Sequence, residues 1–233
     1  MSILTENILF GVVISLIAFE IGIFIFKKTK LPIFNPLLIA IALVIGFLLL
    51  FDIDVETYNE GGKFINMFLG PATVVLAVPL YKQLKLLKEH LIPILFGILF
   101  GSLIGVSSVI LICNLFNLDN NVTISLLSKS VTTPIGIEIT NQLGGLVPIT
   151  VLAIIISGII GAVIGPILFK VFKINNEVAV GIALGTASHA VGTTKALELG
   201  ETEGAMSSLS IGIAGIMTVF LAPACYYLIN LFL

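Results

Sequence analysis

Six long apolar runs set the rhythm of the chain: Ile8–Phe26, Pro36–Phe51, Ile65–Leu80, Leu91–Leu115, Val147–Phe169 and Ala205–Leu233. Each is long enough, with some tilt, to cross the hydrocarbon core of a bilayer, which takes about 20 helical residues. Polar positions gather between the runs, with two exceptions. Ser128-Lys129-Ser130-Val131-Thr132-Thr133-Pro134 and Gly185-Thr186-Ala187-Ser188-His189-Ala190-Val191-Gly192-Thr193-Thr194-Lys195 place hydroxyls, a histidine, lysines and helix breakers beside apolar segments. A lipid-facing helix gains nothing from such groups, since an ion at the bilayer centre costs about 2.5–3.5 kcal/mol on insertion scales. Backbone at membrane depth leaves the helix only where protein or a water-filled cavity covers it. The two stretches are therefore the candidates for a solute site.

Lysines orient the runs. Lys27, Lys28 and Lys30 follow the first, Lys82, Lys85 and Lys88 the third, and Lys170 with Lys173 the fifth, whereas the loop after the second carries Asp52, Asp54, Glu56 and Glu60 against Lys63. The positive-inside rule puts the three clusters in the cytoplasm and the N-terminus outside. Eight of the eleven basic residues are thereby explained, all lysine; Lys63, Lys129 and Lys195 are left over. With this topology Leu91–Leu115 runs outward and Val147–Phe169 inward, so residues 119–145 begin and end on one side. Two full crossings need about 40 residues, more than that segment has. The expectation is a re-entrant loop: a half-helix near Val122–Lys129, a break at Ser130–Pro134 and a return near Ile135–Asn141, with Lys129 near the tip.

Composition turns this pattern into a class. The chain is 58% hydrophobic and 10% charged, with mean hydropathy +1.20, where a soluble domain carries about 25% charge. It cannot cover a water-facing surface, and reads as an all-α integral membrane protein, a single domain over residues 1–233 with about seven spans plus the re-entrant loop. A net charge of −2 gives no reason to expect a nucleic-acid partner. Cys113 and Cys225 sit in apolar stretches without metal-like spacing and read as inert thiols. The first run has no basic segment before it and no small-residue cleavage site after it, so it reads as a retained span. No metal-ligand spacing, phosphate-cradling loop or Ser-His-Asp arrangement favours an enzyme, and no cofactor is implied. Gly161 to Gly165 is a small-xxx-small pattern for close helix packing.

A faint repeat links Leu69-Gly70-Pro71-Ala72-Thr73 with Leu184-Gly185-Thr186-Ala187-Ser188. On the lysine orientation the two copies run oppositely, as in carriers built from inverted repeats. Interrupted membrane helices expose unpaired N–H groups whose partial positive charge suits a carboxylate. Lys129, Ser130, Thr132, Thr133, Ser188, His189, Thr193 and Thr194 add cations and hydrogen-bond donors, and together they point to a small organic anion. Thr73 and Asn35 are the counterparts in the first half. Glu138 is either a partner of Lys129 or the second ion of the site. Lys195 either belongs to the site or pairs at the interface with Glu198 or Glu201. His189 either titrates as part of a proton-coupled carrier or is a hydrogen-bonded packing residue. Asn35-Pro36 fits a helix cap and first turn. Ser102, Ser107, Ser108 and Ser157 read as hydroxyls bonded to their own preceding turn.

At these same residues the chain resembles the LrgB/CidB family of bacterial membrane proteins. The resemblance runs through Asn35-Pro36-Leu37-Leu38-Ile39, Leu69-Gly70-Pro71-Ala72-Thr73 to Val78-Pro79-Leu80-Tyr81, and Lys129-Ser130-Val131-Thr132-Thr133-Pro134-Ile135. It continues in Ala183-Leu184-Gly185-Thr186-Ala187-Ser188-His189 and Gly192-Thr193 to Ala196-Leu197-Glu198-Leu199-Gly200-Glu201. Where relatives often carry arginine after the first span, this chain has lysine. The resemblance implies a multi-pass protein of the bacterial cytoplasmic membrane and two functional descriptions. One is an antiholin-like role, with a small holin-like partner of the LrgA/CidA type, in controlling murein hydrolases and autolysis. The other is transport of small monocarboxylates such as glycolate, glycerate or pyruvate. The polar breaks favour transport; a homodimer is consistent with the packing glycines.

Overall fold

A computed structural model describes residues 9–29, 34–68, 71, 74–75, 77–82, 84–89 and 91–232. Among the described residues there are helices and no strands. They divide into two compact units, Met1–Val75 and Leu76–Leu233.

In the first unit α1 (Leu9–Thr29), α2 (Pro36–Leu50) and α3 (Val55–Asn66) pack together. Asn35 caps α2 as its type suggests: the side chain accepts from Leu37 N at 2.9 Å and Pro36 fills the first turn. Ala18, Ala40, Val44 and Leu48 form the core. Ser15 and Tyr58 join hydroxyls across it at 2.7 Å. Of the third apolar run, α3 covers the first residues and ends at Asn66, Pro71, Val74 and Val75 are helical, and Thr73 with most of the first repeat motif lies outside the described residues.

The second unit holds α4 (Ala77–Lys82), α5 (Leu84–Glu89), α6 (Leu91–Leu115), α7 (Asn120–Leu127), α8 (Thr133–Leu143), α9 (Val147–Val171), α10 (Glu177–Leu199) and α11 (Glu201–Phe232). Among the described residues four helices are long and apolar enough to cross a membrane: α1, α6, α9 and α11 over Glu201–Leu228. Their outer faces carry large apolar side chains, among them Phe24, Ile104 and Phe220 at 65–70% exposure. Such faces are ordinary against lipid and costly against water.

The short pair α7 and α8 stands where two half-helices were expected. Asp119 caps α7, accepting from Asn121 N at 2.7 Å, and Pro134 sits in the first turn of α8. Gly144 ends α8 with φ 81°, a left-handed conformation that glycine adopts without strain. At about 1.5 Å per residue α7 and α8 reach roughly 12 and 16 Å, about half a bilayer core each.

α10 is broken. Ser188 (φ −133°, ψ 16°) and His189 (φ 41°, ψ −133°) leave the helix in its middle. Before the break α10 lies close to α11, because Gly181 and Gly185 face the backbone at Glu203 and Ser207, where any side chain would collide. Gly97 faces Ile182 and Gly101 faces Thr186, so α6 and α10 run parallel.

Candidate functional site

The middle of α9 fixes both interruptions. Ser157 donates its hydroxyl to the Lys129 carbonyl at 2.5 Å, anchoring the turn between α7 and α8 near the midpoint of the 25-residue α9. One turn away, the Ile154 carbonyl lies 2.9 Å from His189 Nε2, so that ring nitrogen carries the proton and donates. Gly158 and Gly161 make room for the second break. A Cβ at Gly158 would stand 2.7 Å from the His189 ring, and one at Gly161 would collide with the Ser188 hydroxyl. Gly165 faces Leu184 in the same way, so the glycine pattern from 161 to 165 serves helix packing.

A hollow of about 610 Å³ runs alongside these anchors. Lys129 and Ser130 enter it from the hairpin tip, Ser102 from α6, Thr186 and Ala187 from α10, and Thr218 from α11. Towards the start of α6 and α10 its walls become apolar, with Ile94, Gly97, Val178, Ile182 and Ala183, and it reaches the exposed residues Pro93, Asn176 and Ala179. Lys129 is partly buried; its ammonium donates to Ser130 Oγ at 3.1 Å and makes no ion pair among the described residues. The hydroxyls of Ser102 and Thr186, each only 7% exposed, bond no other group among the described residues. A buried hydroxyl without a partner costs about 1–3 kcal/mol.

The expected site residues thus separate. Lys129 and Ser130 line the hollow. Thr132 and Thr133 open α8 beside it without lining it, and the Thr132 hydroxyl caps nothing. Ser188 and His189 are buried against α9, and the Ser188 hydroxyl, like those of Ser102 and Thr186, has no partner. Thr193 is engaged within the fold, donating to the His189 carbonyl at 3.0 Å and lying 2.7 Å from Ser207 Oγ. Thr194 bonds back to the Ala190 carbonyl at 3.2 Å. Lys195 pairs with Glu198 at 2.8 Å, the interfacial arrangement, while Glu201 pairs with Lys82 at 3.2 Å. Glu138 does not meet Lys129; it is exposed and accepts from Gln142 Nε2 at 3.0 Å. Asn35 uses its acceptor on the α2 cap.

Sequence reasoning missed Ser102, which does not bond its own preceding turn as expected, although Ser108 does, to the Gly105 carbonyl at 2.9 Å. Ser157 was read as the same kind of hydroxyl. It does approach the Ile154 carbonyl at 3.1 Å, but its shorter bond holds the Lys129 tip. Thr186 stood inside the second polar stretch without being singled out. No group of three or more metal-ligating side chains occurs among the described residues.

Comparison with known proteins bears on all of this. The profile of the LrgB-like family matches residues 15–228. The antiholin-like protein LrgB of Bacillus subtilis (strain 168) is 41% identical over 222 residues, 95% of this chain and 96% of its own. An antiholin-like protein LrgB of Bacillus cereus (strain B4264) is 40% identical over 215 residues, 92% and 94% of the two chains. An uncharacterized protein of Bacillus subtilis, YxaC, is 40% identical over 207 residues, 89% and 90% of the two chains. No solved structure matches. The chain belongs to the LrgB-like family.

Proposed function

We propose that the protein carries small monocarboxylates across a bacterial cytoplasmic membrane. The observation that carries the reading is Lys129, an ammonium without a carboxylate partner among the described residues, on the wall of a hollow it shares with Ser130 and the unpartnered hydroxyls of Ser102 and Thr186. In a low-dielectric setting an unpaired cation attracts an anion far more strongly than in water. A carboxylate offers the acceptors that the Lys129 ammonium and the Ser130 hydroxyl can meet.

The architecture supports the reading. The α7–α8 hairpin is a re-entrant loop whose tip lies at mid-depth, where the half-length of each helix and the Ser157 anchor would hold it. α2 joins the four long apolar helices as a crossing, and the third apolar run of the sequence adds another. The cytoplasmic lysines Lys82, Lys85 and Lys88 precede α6, and Lys170 and Lys173 precede α10; the parallel course of these two helices agrees with that orientation. The end of the hollow near Pro93 and Asn176 then faces the cytoplasm.

A second reading is favoured by the description of the Bacillus relatives as antiholin-like: a non-transporting regulator of lysis that works through a small holin-like LrgA/CidA-type partner. Uptake of labelled pyruvate or glycolate into proteoliposomes separates the two. Saturable uptake supports the carrier. No uptake, with or without the small partner, removes it, and conductance without saturation indicates a pore.

A further inference from the structure

The two limbs of α10 lie side by side. Gly192 faces the Leu184 carbonyl, where a side chain would collide, and Val180, Leu184 and Ala196 share one core cluster. In a straight helix Gly192 and Leu184 would stand about 12 Å apart along the axis. α11 records the same reversal. Gly181 and Gly185 of the first limb face Glu203 and Ser207, whereas on the return Thr193 meets Ser207 at 2.7 Å and Leu197 meets Gly204. The chain turns at Ser188 and His189. Residues 177–188 and 189–199 each reach roughly 16–18 Å, about half a bilayer core, so neither limb spans it.

α10 thus has the form of the α7–α8 pair. There Ser128 donates to the Gly136 carbonyl across the hairpin. Thr140 and Thr150 join its return limb to α9 at 2.7 Å, as Thr193 and Ser207 join the return limb of α10 to α11. Both tips rest on the same stretch of α9, through Ser157 and the Ile154 carbonyl. Charge gives the side from which α10 enters. Lys170 and Lys173 stand ahead of it, and Glu201, just after it, pairs at 3.2 Å with Lys82 of another cytoplasmic cluster. A crossing by α10 would carry Glu201 to the outer side, away from Lys82.

We propose that α10 is a second re-entrant hairpin, entering from the cytoplasm and returning to it, so that residues 119–171 and 176–228 form an inverted pair of hairpin and span with the hollow between the two tips. The hollow takes Lys129 and Ser130 from one tip and Thr186 and Ala187 from the approach to the other. α10 is then not the seventh span expected from the sequence: the crossings are α1, α2, the third apolar run, α6, α9 and α11. Lys195, left over by the first lysine assignment, joins the cytoplasmic set. The inference rests on the proposed function only in treating the hollow as a solute site.

The test is labelling of single cysteines by a membrane-impermeant maleimide, in spheroplasts and in inverted vesicles from cells making the full chain, with the buried Cys113 and Cys225 replaced by alanine. Asn175→Cys, ahead of α10, and Gln142→Cys, at the base of the α7–α8 hairpin, are the references. Glu198→Cys and Leu199→Cys are the reporters, and all four positions are exposed. Both reporters are expected to follow Asn175→Cys, labelling at least tenfold faster in inverted vesicles than in spheroplasts, with Gln142→Cys doing the opposite. Reporters that label from the Gln142 side overturn the proposal, because α10 would then cross. A second measurement uses spin labels on Asn175→Cys and Glu198→Cys together, in nanodiscs. Their separation is expected to fall well below the about 34 Å of an unbroken helix between these positions; a value at or above that length overturns the hairpin. Neither measurement needs a solute. Cytoplasmic reporters in a protein without uptake keep the second hairpin and remove the carrier reading, and uptake with reporters on the Gln142 side does the reverse.

Discussion

The two interrupted stretches of the second unit are built in opposite ways. At the hairpin tip the backbone is held from outside: Ser157 takes the Lys129 carbonyl, and Ser128 donates to the Gly136 carbonyl at 3.3 Å, which leaves Lys129 and Ser130 facing the hollow. At the α10 kink the side chains themselves do the holding. The His189 ring is bound to the Ile154 carbonyl, Thr193 closes on the His189 carbonyl and on Ser207, and Ser188 is pressed against Gly161. The contrast teaches that a break in a membrane helix is not yet a binding site. What sets the first tip apart is that Lys129 and Ser130 face the hollow, whereas at the second break His189 and Thr193 are spent inside the fold and the unpartnered Ser188 hydroxyl is buried away from the hollow.

Substitutions can break this contrast. The largest stability effect is expected at Gly158→Ala, because the added methyl meets a ring held in place by its hydrogen bond. Overpacking of this kind costs about 1–3 kcal/mol, visible as a lower Tm of the purified protein. His189→Ala comes next. It removes the bond to Ile154 yet keeps a backbone at φ 41°, ψ −133°, a conformation that costs a non-glycine residue about 1–3 kcal/mol. His189→Gly loses the same bond and relieves the backbone, so it should melt above His189→Ala; the reverse order would show that the kink is not strained. Thr193→Val is expected to cost about 1–3 kcal/mol, by stranding the buried Ser207 hydroxyl. Lys195→Gln is the smallest. Its partner Glu198 is well exposed, the lysine itself is about one-third exposed, and such pairs contribute roughly 0–1 kcal/mol. A large loss of uptake in that variant would return Lys195 to the site.

Much of this was legible in the chain. The bounds of α6 and α9 follow from uninterrupted apolar runs, and α7 and α8 lie close to the half-helices expected near 122–129 and 135–141, on either side of the break at Ser130–Pro134. The α10 kink falls inside the stretch whose polarity and glycines announced it. What could not be read was partnership, since that depends on helices distant in sequence. Ser102 and Ser108 look alike on α6, yet Ser108 bonds its own turn and the buried Ser102 hydroxyl is left without a partner where Gly101 lets α10 approach. Thr193 and Lys129 both looked like site residues until Ser207 was found opposite the first and no acid, among the described residues, opposite the second.

The account depends most on the unpaired ammonium at the hairpin tip. Initial rates of labelled pyruvate uptake into proteoliposomes, measured side by side for the wild type and Lys129→Gln at matched protein content and matched Tm, test it directly. The expected result is saturable uptake by the wild type and a loss of about 100-fold in the variant, the scale of removing one charge-assisted bond from a buried anion. Equal uptake by the two proteins would contradict it.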